Sequence, residues 1–461
     1  MREADAETQH ARRVGILGLA TEAAQATRSL RAKVKALGAS DFSRNAAWFT
    51  LLSGLERGVA VVQTILISRA LGIAEYGVYG LLFASIGFAA SVAGLQMGLT
   101  ATVFISKYRA AERHKAAAVI SIVQRFGWIV GLVFVGGALP WSRHLAALLL
   151  GASEYEAVFI LGVAFVAASI VSGVQDGIAQ GFEMFRYLAK LKITTSVLLL
   201  VVIYPLAKTY GLAGVLLTLL GGLALKWLFL RAAVDVRRGE EEVPASGSGI
   251  SFRRLVSEFA LPSAAASLGV GFVAWVGLYW LSRQSSGMES VAVVTAGQQW
   301  RGPLLLLATS VGSVAIPRFS RLSIAGQAAQ TARFRRALLK VNGLAALSVA
   351  AALTVASELI LSAYGPGFAS GRAAFMLMVW SAVPTVAANV YLQELVGSAR
   401  MWLQLRVHAP SLLLTSAAFL VLIPRFGGIG YAAALLLGSV VLLLSVVTSS
   451  RHEGRAGASL W

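Results

Sequence analysis

An all-α polytopic membrane protein is the fold class this sequence predicts, and three observations carry that expectation. Twelve apolar runs fill most of the 461 residues. Composition agrees: 57% of residues are hydrophobic and 13% charged, against about 25% charged in a soluble domain, and mean hydropathy is +0.73. Most of the 40 Lys and Arg residues stand in alternate gaps between the runs. About 20 apolar residues cross roughly 30 Å of hydrocarbon, so each run is a candidate span.

The spans are expected near Asn45–Leu71, Tyr76–Val103, Ala118–Leu139, Ala157–Gly181, Ile193–Leu206, Gly211–Leu230, Leu255–Leu281, Ser290–Ile316, Ala337–Leu361, Ala373–Gly397, Leu403–Ile423 and Ile429–Val447, the fifth being the shortest. They divide the chain into a basic tail over 1–44, a six-helix bundle over 45–232, a linker over 233–254, a second six-helix bundle over 255–448 and a tail over 449–461. Charge sets the orientation. The two tails and the loops Lys107–Lys115, Arg186–Lys192, Arg231–Arg254, Arg318–Lys340 and Arg400–Arg406 hold 30 basic residues. The other gaps hold only Arg69, Arg143, Lys208, Arg283, Arg372 and Arg425. Basic loops stay in the cytoplasm, so both termini are expected there, as an even number of spans requires. Within the first tail, Leu30, Val34 and Leu37 fall at helical spacing among Arg28, Arg31, Lys33 and Lys35. That pattern suits either a short helix on an anionic membrane surface or a basic tail that only enforces topology.

Composition also excludes chemistry. The net charge of +19 is dispersed among spans rather than gathered on a face, so no nucleic-acid partner is expected. Zero cysteines remove disulfides, thiolate metal sites and thiol catalysis. The five histidines, His10, His114, His144, His408 and His452, are scattered without metal-ligand spacing. No phosphate-binding loop, nucleophile elbow or cleavable signal peptide is present. Neither an enzyme, nor a cofactor, nor a metal site is expected.

An internal repeat carries the architecture further. Ser68-Arg69 with Glu75 recurs as Ser282-Arg283 with Glu289, an offset of 214, and Val103–Lys107 matches Pro317–Arg321 at the same offset. Later the offset becomes 216, pairing Gly181 with Gly397, Lys190 with Arg406, Gly211 with Gly427 and Gly214 with Gly430. Six spans per copy give both copies one orientation, the parallel-repeat arrangement of many transporters. Glycines at Gly54/Gly58, Gly94/Gly98, Gly127/Gly131 and Gly173/Gly177/Gly181 have the spacing that lets helix backbones approach. Pro262, Pro303, Pro384 and Pro410 fall in or at the start of spans. There they remove a backbone hydrogen bond. Pro303 and Pro384 are candidate hinges, or static kinks that improve packing.

The stretch Ile67-Ser-Arg-Ala-Leu-Gly-Ile-Ala-Glu-Tyr-Gly-Val-Tyr79 resembles the loop after the first span of polysaccharide and O-antigen flippases, members of the multidrug/oligosaccharidyl-lipid/polysaccharide exporter superfamily. Phe259-Ala-Leu-Pro262 and Tyr364-Gly-Pro-Gly-Phe368 are similar to further family features, and the resemblance covers most of 42–448. The counterpart Ser286–Val293 lacks the Gly-x-Tyr of the first copy. The resemblance implies twelve helices in two bundles and movement of an undecaprenyl-diphosphate-linked oligosaccharide between leaflets of the bacterial inner membrane. Polysaccharide polymerases and chain-length proteins are the partners it implies.

Charges inside spans are the candidate site, because each costs at least about 2.5–3.5 kcal/mol to insert at the bilayer centre. Arg57 lies about 12 residues, roughly 18 Å, into the first span. Arg301 is at similar depth in the eighth. Guanidinium groups grip phosphate oxygens in pairs and stay charged when partly dehydrated, so one from each half suits a diphosphate. The alternative for Arg57 is neutralisation by a nearby acid. Gln63 on the first span and Gln298 and Gln299 on the eighth add amides that suit sugar hydroxyls, and Trp275, Tyr279 and Trp280 add aromatic faces or an interfacial belt. Glu56, adjacent to Arg57 but about 100° around the helix, is the candidate for ion coupling or charge balance. Arg125 and Asp176 are expected to meet as a cytoplasmic gate; Lys226 and Glu394 read as interfacial side chains reaching the headgroups.

These readings predict a transporter that flips a lipid-linked oligosaccharide by alternating access. A cation-coupled multidrug exporter on the same fold is the alternative, with Glu56 as its only midplane acid. A membrane glycosyltransferase or polymerase fits poorly with outer gaps as short as these.

Overall fold

The computed structural model describes residues 41–109, 112–238, 261–398 and 401–456, and every regular element among them is helical. The first tail with its expected surface helix, most of the 233–254 linker and the end of the last tail lie outside the described residues. The elements are α1 (Asp41–Leu71), α2 (Ile73–Gly94), α3 (Met97–Tyr108), α4 (Arg113–Ala138), α5 (Ser142–Leu150), α6 (Glu156–Gly181) and α7 (Phe185–Arg238). They continue as α8 (Leu261–Ser282), α9 (Gly287–Ile324), α10 (Ala328–Val355), α11 (Ser357–Tyr364), α12 (Arg372–Gly397) and α13 (Met401–Ala456). Residues 53–461 group into one compact unit; of 1–52, only the opening turns of α1 are described.

Among the described residues, seven helical stretches are long and apolar enough to cross a membrane. Two of them, Phe185–Val236 and Arg406–Ser450, are 52 and 45 residues long. Straight, they would measure roughly 78 and 68 Å, more than twice the hydrocarbon thickness. Both fold back on themselves. Gly211 (φ 56°, ψ −139°) interrupts α7 and Gly427 (φ 53°, ψ −127°) interrupts α13, in a region of backbone space that glycine alone enters readily. Hydrogen bonds then run between the two arms. Tyr187 Oη donates to the carbonyl of Phe229 at 3.1 Å, and Ser411 Oγ to the carbonyl of Gly438 at 2.7 Å. The expected fifth span, Ile193–Leu206, is thus only the centre of a longer arm that begins at Phe185.

The two copies of the repeat pack alike. A Cβ on Gly214 would strike the carbonyl of Leu206, and one on Gly430 would strike that of Leu422. A Cβ on Gly181 would stand 2.8 Å from Ile105 Cβ, and one on Gly397 2.7 Å from Phe319 Cβ. Each partner in the second copy sits at the position the sequence offset assigns.

One expected span is broken. The run Tyr76–Val103 forms α2 and α3, divided at Leu95 (φ 44°) and Gln96 (φ 53°). Left-handed backbone costs a non-glycine residue about 1–2 kcal/mol. In return α3 lies backbone-to-backbone on α6: Gly98 and Gly177 each face the other helix's carbonyls, and Thr102 Oγ1 donates to the carbonyl of Gly177 at 3.0 Å. Gly127 and Gly131 make a similar approach of α4 to α6. Gly54 and Gly58 do not: a Cβ on either would meet nothing within 4 Å, so there the spacing carries no packing role.

Aromatic packing joins the first half (53–238) to the second (261–456). Tyr76 on α2 is buried against Tyr364 of α11 and Phe368, with ring centroids 6.0 and 5.8 Å away. Gly77 lies against the backbone of Met288, and Gly80 against Thr295, which lets α2 and α9 approach closely. Trp275 of α8 stacks between Phe88 and Tyr279 and donates from Nε1 to Ser85 Oγ at 2.9 Å. It therefore serves the joint between halves.

Candidate functional site

Arg57 and Arg301 belong to helices that face each other across that joint. Arg57 is exposed on α1 and points at α9, its Nη1 3.7 Å from where a Cβ on Gly302 would stand. Arg301, the residue before Gly302, is partly buried and donates from Nη2 to Thr385 Oγ1 of α12 at 3.1 Å. Its Nε is buried and has no hydrogen-bond partner. Among the described residues neither arginine is in an ion pair. Burial without an anion leaves a donor and a full charge to be met by something else. Glu56 is half-buried and also lacks an ion pair among the described residues, so it does not neutralise Arg57 directly.

The amides divide. Gln298 is exposed and Gln299 partly buried on the same turn of α9 as Arg301. Gln63 is different: it is buried, and its Nε2 donates to the carbonyl of Ser196 in α7 at 2.8 Å. Its side chain ties α1 to α7 instead of standing free for a ligand.

The expected meeting of Arg125 with Asp176 is not what the structure contains. Asp176 Oδ2 lies 3.0 Å from Lys226 Nζ and 3.3 Å from Lys192 Nζ, on the two arms of α7. Arg125 is exposed on α4. Two ammonium groups on flexible stems thus neutralise Asp176 through Oδ2, while its Oδ1 is buried without a hydrogen-bond partner among the described residues. Lys226 and Glu394 are likewise paired. Glu394 accepts from Arg335 Nη1 at 3.0 and 2.9 Å, a contact of α10 with α12.

Two arginines of the outer gaps, repeat equivalents to which no site role was given above, make a reciprocal clasp. Arg69 of the first half donates from Nε to the carbonyl of Ala363 at 2.7 Å and from Nη2 to that of Ser362 at 2.8 Å, both in α11 of the second half. Arg283 of the second half donates from Nη2 to the carbonyl of Leu148 in α5 of the first. Arg69 and Arg283 are repeat equivalents, and Leu148 and Ser362 are separated by the same offset of 214. Ser68 Oγ adds a bond to the carbonyl of Tyr364 at 2.9 Å, and Thr64 Oγ1 lies 3.3 Å from its hydroxyl. All of these contacts sit on the side of Arg57 and Arg301 away from the basic loops. The sequence signal was present, since the repeat flagged both arginines, but only the fold shows where they reach.

Residues 42–323 match the polysaccharide biosynthesis protein family. A curated relative, the EPS I polysaccharide export inner membrane protein EpsE of Ralstonia solanacearum, is 22% identical over 451 residues, covering 94% of this chain and 98% of its own. Among solved structures, the lipid II flippase MurJ in an inward closed conformation superposes with a TM-score of 0.72 at 12% identity, over 87% of each chain. An inward-facing multidrug resistance MATE transporter of the MOP superfamily gives 0.71 at 17% identity, over 88% of this chain and 96% of that one. At such identities the two structures speak for the fold alone. The family match agrees with the resemblance first carried by Ile67–Tyr79, and the chain belongs to the polysaccharide biosynthesis protein family, with the fold of the multidrug/oligosaccharidyl-lipid/polysaccharide exporter superfamily.

Proposed function

We propose that this protein moves an undecaprenyl-diphosphate-linked oligosaccharide from the cytoplasmic to the periplasmic leaflet of a bacterial inner membrane by alternating access. The observation that carries the reading is two arginines, on α1 and α9, without an ion pair among the described residues: Arg57 beside Gly302, and Arg301 with a buried donor left free. A diphosphate supplies both the negative charge and the acceptor oxygens these groups lack. Gln298 and Gln299 on the same turn suit the first sugar. Membership of a polysaccharide family and the export role in the name of the relative from Ralstonia favour a glycan cargo.

In this reading the chain crosses the membrane twelve times, the arms of α7 and α13 counting as two crossings each. The halves over 45–232 and 255–448 are parallel repeats joined by the 233–254 linker. Both termini lie in the cytoplasm. The Arg69 and Arg283 clasp then stands on the periplasmic side and holds it shut, so that cargo reaches the arginines from the cytoplasm. Polysaccharide polymerase and chain-length proteins are the partners that would receive the product. A cation-coupled drug exporter is disfavoured at the same site, because two guanidinium groups repel a cationic ligand.

The test is transport of a defined lipid-linked oligosaccharide in proteoliposomes, with and without a proton gradient. Arg57→Ala and Arg301→Ala are each expected to lower transport at least tenfold, the loss that follows from removing a charge-assisted bond of about 1.5–3 kcal/mol. Arg301→Glu should do worse, and Lys at either position should keep partial activity because it keeps charge but not the planar fork. Wild-type transport by the double alanine variant at normal abundance would sink the assignment.

A further inference from the structure

A second cationic site lies within the first half, away from Arg57 and Arg301. An apolar slot of about 590 Å³ runs between α4, α6 and the second arm of α7, walled by residues such as Leu132, Ala168, Leu217 and Leu220. Its volume falls in the range of about 300–1,000 Å³ that suits a small molecule or a lipid chain. Toward the basic loops it meets a polar chamber of about 370 Å³ that holds Gln124, Arg125, Gln175 and Arg231. Trp128, Val171 and Trp227 line both, so the two adjoin.

The chamber is built for an anion. Gln175 is 2% exposed, and its Nε2 is buried with no partner while its Oε1 accepts from Gln124 at 3.3 Å. Arg125 is exposed and forms no ion pair among the described residues. Arg231 lies with its guanidinium carbon 5.1 Å from the Trp227 ring centroid, and among the described residues its ion pair is with Asp235, at 3.6 Å on an exposed face. Trp128 and Trp227 meet edge to face at 5.9 Å where the slot opens into the chamber. The slot also opens sideways: Leu132, Leu217 and Trp128 are 66%, 50% and 48% exposed.

We propose that this slot binds one anionic phospholipid from the leaflet that meets the basic loops. The phosphate sits among Arg125, Arg231 and the free amide of Gln175, and an acyl chain fills the apolar slot. Charge selects an anionic headgroup over a zwitterionic one, and tryptophans at the neck suit the ester region, where aromatic rings gather in membranes. The site is enclosed by one half of the molecule and contains neither Arg57 nor Arg301, which separates it from the cargo site. It therefore stands whether or not the cargo is a lipid-linked glycan.

The experiment uses full-length protein in phosphatidylcholine nanodiscs carrying a small fraction of brominated lipid, with tryptophan quenching as readout. The component due to Trp128 and Trp227 is isolated by subtracting the Trp128→Phe/Trp227→Phe variant. We expect brominated phosphatidylglycerol to associate about thirtyfold more strongly than brominated phosphatidylcholine, two arginines facing a phosphate contributing about 1 kcal/mol each. Arg125→Gln/Arg231→Gln should bring the two lipids within about twofold, and Gln175→Leu should remove part of the preference. Equal association of the two lipids with the parent overturns the proposal, and that comparison decides even if a variant fails to fold. Retention of the preference in the folded double variant also overturns it. So does displacement of the brominated lipid by undecaprenyl phosphate but not by unlabelled phosphatidylglycerol, which would assign the slot to a polyprenyl tail.

Discussion

At the scale of single residues, the difference between Asp176 and Arg301 is instructive. Both are ionisable groups within helices. Each has one buried polar atom without a hydrogen-bond partner, Asp176 Oδ1 and Arg301 Nε, but Asp176 has two lysines within 3.3 Å, whereas Arg301 has one hydroxyl and no counter-ion among the described residues. The first is a structural charge cluster and the second a waiting one. Asp176→Asn is therefore expected to destabilise the protein by about 3 kcal/mol, since it strands two ammonium groups of which only 24% and 14% is exposed. Thermal melting in detergent would read this, and Asp176→Asn/Lys226→Gln should recover part of the loss. If Asp176→Asn melts with the wild type, the cluster contributes no stability. Depth in the span set Arg301 apart from Asp176, which was assigned to a cytoplasmic gate with Arg125. It could not show the pairing, because the lysines that reach Asp176 are 16 and 50 residues away on another helix.

At the scale of elements, the glycines that matter are those with a required backbone or a required approach. Gly211 and Gly427 occupy the same position in the two copies and share an unusual backbone conformation, φ 56° and 53° with ψ −139° and −127°. Gly211→Ala and Gly427→Ala should each cost about 1–3 kcal/mol, read as a lower melting temperature. Gly54→Ala is the control: it sits in α1 with nothing within 4 Å of its Cβ, so the substitution should be neutral or stabilising by about 0.5–1 kcal/mol. Equal losses at all three positions would refute the distinction. Spacing in the sequence treated Gly54/Gly58 and Gly94/Gly98 alike, since glycine spacing shows what a helix face permits and not whether another helix comes to it.

At the scale of the molecule, the repeat-related clasp is the feature that spans both halves. Arg69 and Arg283 each reach carbonyls of the short helix in the opposite half. Removing both should shift the protein toward a state open at that end. The chain contains no cysteine, so spin labels can be placed without background at cysteines introduced for Ser153 of the first half and Ser362 of the second, both exposed. In Arg69→Gln/Arg283→Gln the distance distribution between these labels should broaden toward longer values while the protein stays folded. An unchanged distribution would reduce the clasp to a static contact. Under the proposed function, the same shift should lower transport without weakening binding of a lipid-linked oligosaccharide.

Helix content, the candidate crossings, the glycine and arginine equivalences and the family were legible in the chain because they depend on local composition and on periodic spacing. A bilayer demands long apolar runs and an internal repeat leaves an offset that drifts only from 214 to 216, and neither requires knowing which helix touches which. Contacts between distant helices were not legible. The break at Leu95–Gln96 and the turning of Gln63 toward Ser196 were settled by packing against helices far along the chain. So were the capture of Asp176 by Lys192 and Lys226 and the reach of Arg69 to α11. Each of these depends on distances between segments that sequence spacing does not encode, and so only the tertiary structure decided them.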